Sequence, residues 1–181
     1  ENGPAQKLER LAYHLNCQPE FILIGEAPGY QGCRYSGVAF TSERLLLEGA
    51  IPRIDRLDSR LSTRLKPFSE PSATIVWNAL TELGIRRQTI LWNALQLHPF
   101  KPGQPWSNRT PTDAELALGE PALRLLLSAF PKAKLVAVGK KAGLLLEKMN
   151  IEPAATVRHP ANGGAGKFKS GMAKLITSHR K

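Results

Sequence analysis

Cysteine is scarce. The chain has two, Cys17 and Cys33, with no C-x-x-C pairing, so neither a disulfide framework nor a cysteine zinc site is indicated. A reducing cytoplasm is the compartment that fits. Long apolar runs are also missing: none approaches a membrane span, and no signal-peptide pattern opens the sequence, so no membrane association is expected. Acidic side chains are the third shortage, 15 Asp and Glu against 25 Lys and Arg, which leaves a formal charge of +10. That excess favours a polyanionic partner, nucleic acid first and a membrane surface second. His14, His98 and His179 show no metal-ligand spacing and receive no role. No G-x-S-x-G nucleophile elbow occurs. Repeats, low-complexity tracts and linkers are absent too, and a single domain over 1–181 is expected.

What is present alternates between helical and strand-like segments. Residues 6–17 have helical spacing, with Leu8, Leu11, Ala12 and Leu15 on one face, and 21–25 (FILIG) form a short apolar run stopped by Gly25. A helix over 41–50 is opened by Thr41 or Ser42. Residues 51–70 are irregular, and Arg53, Arg56, Arg60 and Arg64 there read as a solvated face ahead of an extra DNA contact. Helix 71–85, strand 89–93 and a Pro-rich loop over 98–113 follow. The helix over 112–130 is expected to bend or break near Gly119–Pro121. Strand 134–139, helix 140–150, strand 155–160 and helix 167–179 complete the order. Such alternation predicts a three-layer α/β/α sandwich around a mainly parallel four-stranded sheet.

In sheets of this kind function gathers at the carboxyl ends of the strands. Those ends carry Gly25-Glu26-Ala27-Pro28-Gly29, Asn93, Gly139 and His159-Pro160. Glu26, Asn93 and His159 thus share one rim, with Phe40 close behind the first strand as a platform for a planar base or as core. Each also has a purely structural reading. Glu26 can bond amides in its turn, Asn93 can cap its loop, and His159 can simply hold the segment that follows. The last rim segment, HPANGGAGKFKSG (159–171), has the look of a phosphate loop. The Walker A pattern fails in it, however, with Ala161 at the first glycine and Phe168 at the hydroxyl position.

Three segments together resemble the uracil-DNA glycosylase superfamily: GEAPGYQGCRYSGVAFTSE (25–43), ILWNALQLHP (90–99) and RHPANGG (158–164). RTPTDAEL and KLVAVGKKA match the family in content and order, and the resemblance spans roughly 20–179. It implies a monomeric enzyme that removes uracil from DNA after flipping the base, without metal or cofactor. It further implies that Phe40 stacks on the base, Asn93 reads its amide edge, and Ala27 and Pro28 line the base site. His159 would donate to the oxygen that becomes anionic, and Glu26 would stabilise the sugar cation or orient water. Gly29, Ala161, Asn162, Gly163 and Gly164 would approach DNA phosphates, with Lys167 and Lys169 adding charge.

Three departures accompany the resemblance. Ala27 stands where the best-known branch has a water-assisting Asp, so water activation falls to Glu26 or to nothing. Leu97 and Gly119 stand at two positions where GEAPG branches hold an iron–sulfur cluster. The loop after His159 has no large apolar wedge before Phe168. These leave two rivals, a member with altered base specificity or no activity, and a basic module that binds strands without chemistry.

Overall fold

The computed structural model describes residues 2–180. In chain order its main elements are α1 (Pro4–Leu15), β1 (Phe21–Gly25), α2 (Cys33–Ser36), α3 (Glu43–Leu47), α4 (Pro71–Glu82), β2 (Thr89–Asn93), α5 (Asp113–Ala129), β3 (Lys134–Val138), α6 (Lys140–Lys148), β4 (Ala155–Val157) and α7 (Ala165–His179). The strands form one sheet in the order β2-β1-β3-β4, every pairing parallel. The chain adds β2 on one side of β1 and β3 on the other. The resulting switch point lies at the carboxyl ends of β1 and β3, where crevices form in open α/β sheets.

Two apolar layers sandwich the sheet, and strand alternation assigns them. Phe21 and Leu23 face a cluster built with α3, α4 and α7, in which Phe168 and Met172 are fully buried. Ile22 and Ile24 face a second cluster, with Leu123 of α5 and Leu145 and Leu146 of α6. β1 is buried at all five positions, as expected of a central parallel strand covered on both faces.

Helix α5 runs through Pro121 without a break. An interior proline costs on the order of 3 kcal/mol. Leu116, Leu123 and Leu126 are buried on either side of it, and each contributes about 1.5–3 kcal/mol, which outweighs that cost. Thr112 and Glu115 close a capping box at the helix start.

Only half of the expected apolar face of α1 is covered: Leu11 and Leu15 pack on the second cluster. Leu8 is 67 % exposed, whereas His14 and Arg10 are buried. The cause is β2, an edge strand whose outward backbone groups need partners. The Leu91 N–H donates to His14 Nε2 at 2.9 Å, and Arg53 donates to the Thr89 and His14 carbonyls. Burial, with Arg53 beside it, pushes the His14 pKa down to about 3, so the neutral ring remains an acceptor.

Residues 51–70 are likewise more than a solvated face. Buried Glu43 accepts from Arg60 Nε at 2.9 Å and from the backbone N–H groups of Leu61, Ser62 and Phe68. Arg56 and Arg64 are exposed, but Arg53 and Arg60 tie the segment to the body.

Candidate active site

Register brings the first two landmarks together, because Gly25 is the direct parallel partner of Asn93. A methyl on Gly25 would lie 2.6 Å from the Phe40 ring and 3.0 Å from Asn93 Oδ1. Glycine is therefore required there for the two side chains to approach one point. Phe40 holds a left-handed backbone (φ 49°), unusual for an aromatic residue. Its carbonyl is fixed by Trp77 Nε1 at 2.9 Å, and its ring lies 5.8 Å from that of His159. Asn93 and Phe40 are each 6 % exposed, so both sit deep at the strand ends.

His159 follows β4 and turns back on its own loop. The Ala161 N–H donates to its Nδ1 at 3.1 Å. An Nδ1 that accepts leaves the proton of the neutral ring on Nε2, which is then the donor. Burial, then the neighbouring Arg158, lowers its pKa from the usual histidine value, which keeps the ring neutral at physiological pH. The loop is shaped by Asn162 (φ 52°) and Gly163 (φ 74°). At Gly164 a methyl would meet the His159 carbonyl at 2.0 Å, so the first turn of α7 can close on the histidine only through glycine.

A cleft of about 900 Å³ opens over these strand ends. Glu26, Ala27, Pro28, Gly29, His159, Ala161, Asn162 and Gly163 line it, whereas Phe40 and Asn93, the two residues expected to hold the base, are buried and do not line it. Glu26 is half-buried, and burial raises its pKa while Lys141 opposes the rise. Gly164 lies buried beneath the loop, and Lys167 is exposed on α7. Lys169 points elsewhere: its ammonium pairs with Glu82 at 2.8 Å, which leaves less charge for a phosphate. Phe168 is fully buried and cannot serve as a wedge.

Sequence reasoning passed over three lining residues, Glu70, Asn108 and Arg109. Burial pushes the Glu70 carboxyl up to about 7, and its Oε2 is buried without a partner. The carboxyl rests on the motif loop, 3.1 Å from where a methyl on Gly29 would be and 1.7 Å from one on Gly32. Its position before Pro71 signalled only the start of α4. Asn108 Oδ1 accepts the Tyr30 N–H at 2.8 Å, and Arg109 pairs with Glu115 at 2.6 Å, so the 98–110 loop is fastened to the motif loop and to α5. Cys33, its thiol pushed up to about 12 first by burial and then by Glu70, lies within reach of Asn93.

The residues standing at the iron–sulfur positions do not fit a cluster. Leu97 offers no donor and is 62 % exposed, while Gly119 packs its backbone so tightly on Ala94 that a methyl would lie 1.7 Å from that carbonyl. Among the described residues no three His, Cys, Asp or Glu side chains gather into a metal-binding group.

The family model of the uracil DNA glycosylase superfamily matches residues 12–179. The chain belongs to the uracil DNA glycosylase superfamily. The superfamily's members are DNA glycosylases, hydrolases that act on DNA. Among solved structures, wild-type SMUG2 from Pedobacter heparinus superposes with a TM-score of 0.59 at 16 % identity, covering 96 % of this chain and 80 % of that one. At that identity the likeness speaks for the superfamily's α/β fold alone. No curated protein matches the chain significantly in sequence. No helix among the described residues is long and apolar enough to cross a membrane.

Proposed function

We propose that this superfamily member hydrolyses the N-glycosidic bond of uracil in DNA, acting on a base flipped out of the strand. The observation that carries the reading is the state of His159. Its Nδ1 is occupied by the Ala161 N–H, which presents Nε2–H as a fixed neutral donor beside Phe40. Breaking the bond between uracil and C1′ leaves negative charge on the base, and a preorganised donor is most effective where charge develops. Phe40 stacks on the base. Asn93 accepts from its ring N–H and donates to a carbonyl through one carboxamide. Glu26, half-buried in the same cleft, faces the positive charge that builds on the sugar or orients the attacking water. Ala27 and Pro28 form the wall behind it, and Ala27 brings no carboxylate, which makes the enzyme slow. Backbone amides of the 161–164 loop approach the phosphates.

Ala27 also favours a second reading, a strand-binding module without chemistry. The test is incubation with a uracil-containing oligonucleotide followed by hot alkali. Cleavage at the uracil supports excision, whereas an intact strand bound by the protein supports the module.

A further inference from the structure

With Phe168 buried, the His159 loop brings only the small side chains of Pro160, Ala161 and Ala165 to the cleft, and no large apolar one to occupy the space beside a displaced base. The neighbouring wall is different. From the motif loop a row of rings runs outward: Tyr35 and Tyr30 are 5.7 Å apart, Tyr30 and His98 5.9 Å, and His98 and Phe100 5.8 Å. The exposed Arg34 guanidinium lies 5.0 Å over Tyr30 and 5.4 Å over Tyr35. The row ends on the 98–110 loop, where Phe100 is 42 % and Trp106 62 % exposed. Both rings thus have free faces on which a planar base can stack.

Nor is this a loose loop. Lys101 N–H donates to Ser107 Oγ at 2.9 Å, Arg109 Nε to the Phe100 carbonyl at 2.9 Å, and Asn108 accepts from Tyr30. The fold holds the aromatics out. Gly29 and Gln31 on either side of Tyr30, and Pro99, Asn108 and Arg109 of this loop, line the cleft, so the row runs beside it. Rings interleaved with cations, on a protein carrying +10, match the chemistry of unpaired nucleobases on a phosphate backbone.

We propose that the row from Tyr30 to Phe100, with Trp106, is a second DNA site that stacks the unpaired bases flanking the nucleotide in the cleft. The substrate it selects is single-stranded or locally opened DNA. Its link to excision rests on the glycosylase reading, but its binding does not.

Trp77 and Trp92 are buried, at 3 % and 9 % exposure, so Trp106 is the tryptophan whose intrinsic fluorescence a stacked base reaches directly, and any change that persists in Trp106→Phe belongs to the other two. A uracil-free oligothymidylate should quench that fluorescence in the parent protein. Read by the anisotropy of a dye-labelled oligothymidylate, which needs no tryptophan, Trp106→Ala and Phe100→Ala should each weaken single-strand binding roughly five- to a hundredfold, as loss of one base–aromatic stack does. Duplex binding of the same length should change less, the melting temperature should hold, and Trp106→Phe should restore most of the affinity. Equal affinity of parent and both alanine variants for the oligothymidylate overturns the site, as does an equal loss on duplex and single strand. Because the probe contains no uracil, a failure of excision leaves this result standing, and a failure here leaves excision standing.

Discussion

Replacing Glu43 with Gln tests how the 60–68 segment is held. The carboxylate is fully buried and serves five donors: Arg60 Nε, the N–H groups of Leu61, Ser62 and Phe68, and the Ser62 hydroxyl. Burial by itself would raise its pKa, but Arg60, the Phe68 amide and Ser62 hold it down to about 2 against an ordinary 4.5. At about 1.4 kcal/mol per pH unit, that difference corresponds to about 3 kcal/mol of folding stability. A second route gives a similar figure. In the Gln variant the amide NH2 faces donors, which orphans a buried N–H at about 1–3 kcal/mol, and the charge-assisted bond to Arg60 is lost at about 1.5–3 kcal/mol. The expected destabilisation at pH 7 is therefore about 3–5 kcal/mol, read from urea melts. The sign with pH follows. A depressed pKa stabilises above the unfolded value, so the gap between parent and variant should narrow as pH falls from about 4.5 towards 2. A gap under 1 kcal/mol at pH 7, or one that stays constant with pH, would refute the reasoning. The segment matters to function because Phe68, fixed by this carboxylate, stacks on Tyr35 at 4.4 Å.

Glu70→Gln should act in the opposite direction. With its pKa raised to about 7, Glu70 contributes stability below about 4.5 that is lost as pH rises through 7. The variant should then be more stable than the parent at pH 8, by at most about 3 kcal/mol, with no gain near pH 4.5. An equal or lower urea midpoint at pH 8 would count against it. At Asn93, substitution by Asp should reduce uracil excision and shift preference towards cytosine, whose amino group suits a carboxylate acceptor. If Asn93→Ala excises uracil at the parent rate, Asn93 only closes its strand and the base site lies elsewhere.

The sheet and its rim were legible because period-2 and apolar-run patterns are local, and because parallel connectivity forces strand ends to one side. That is why Gly25, Asn93 and His159, far apart in sequence, were placed on one rim before their neighbours were known. Glu70 was not legible, since its burial arises from packing against Gly29 and Gly32, 38 or more residues earlier. His14 was missed for a related reason. Periodicity assumes that a helix buries its apolar stripe, whereas α1 serves a sheet edge that needs an acceptor. The arginines of 51–70 were misread because an irregular polar segment gives no sign that a buried Glu43 waits for one of them. Pro121 reads as a bend or break because its local cost is visible in sequence, whereas the three buried leucines that outweigh it are visible only in the fold.

Single-turnover excision of uracil by the parent and by His159→Ala, with DNA affinity and melting temperature taken on the same preparations, tests the role of His159 most directly. If Nε2–H stabilises the departing uracil anion, the interaction is stronger in the transition state than with bound neutral uracil, so it sets the rate and adds little to affinity. Loss of such a donor costs on the order of 3 kcal/mol, about a hundredfold or more in rate. The expected result is that loss in rate, with binding and melting close to the parent. A variant that binds, melts and excises as the parent does, or a parent that leaves uracil in place under single-turnover conditions, would contradict the assignment.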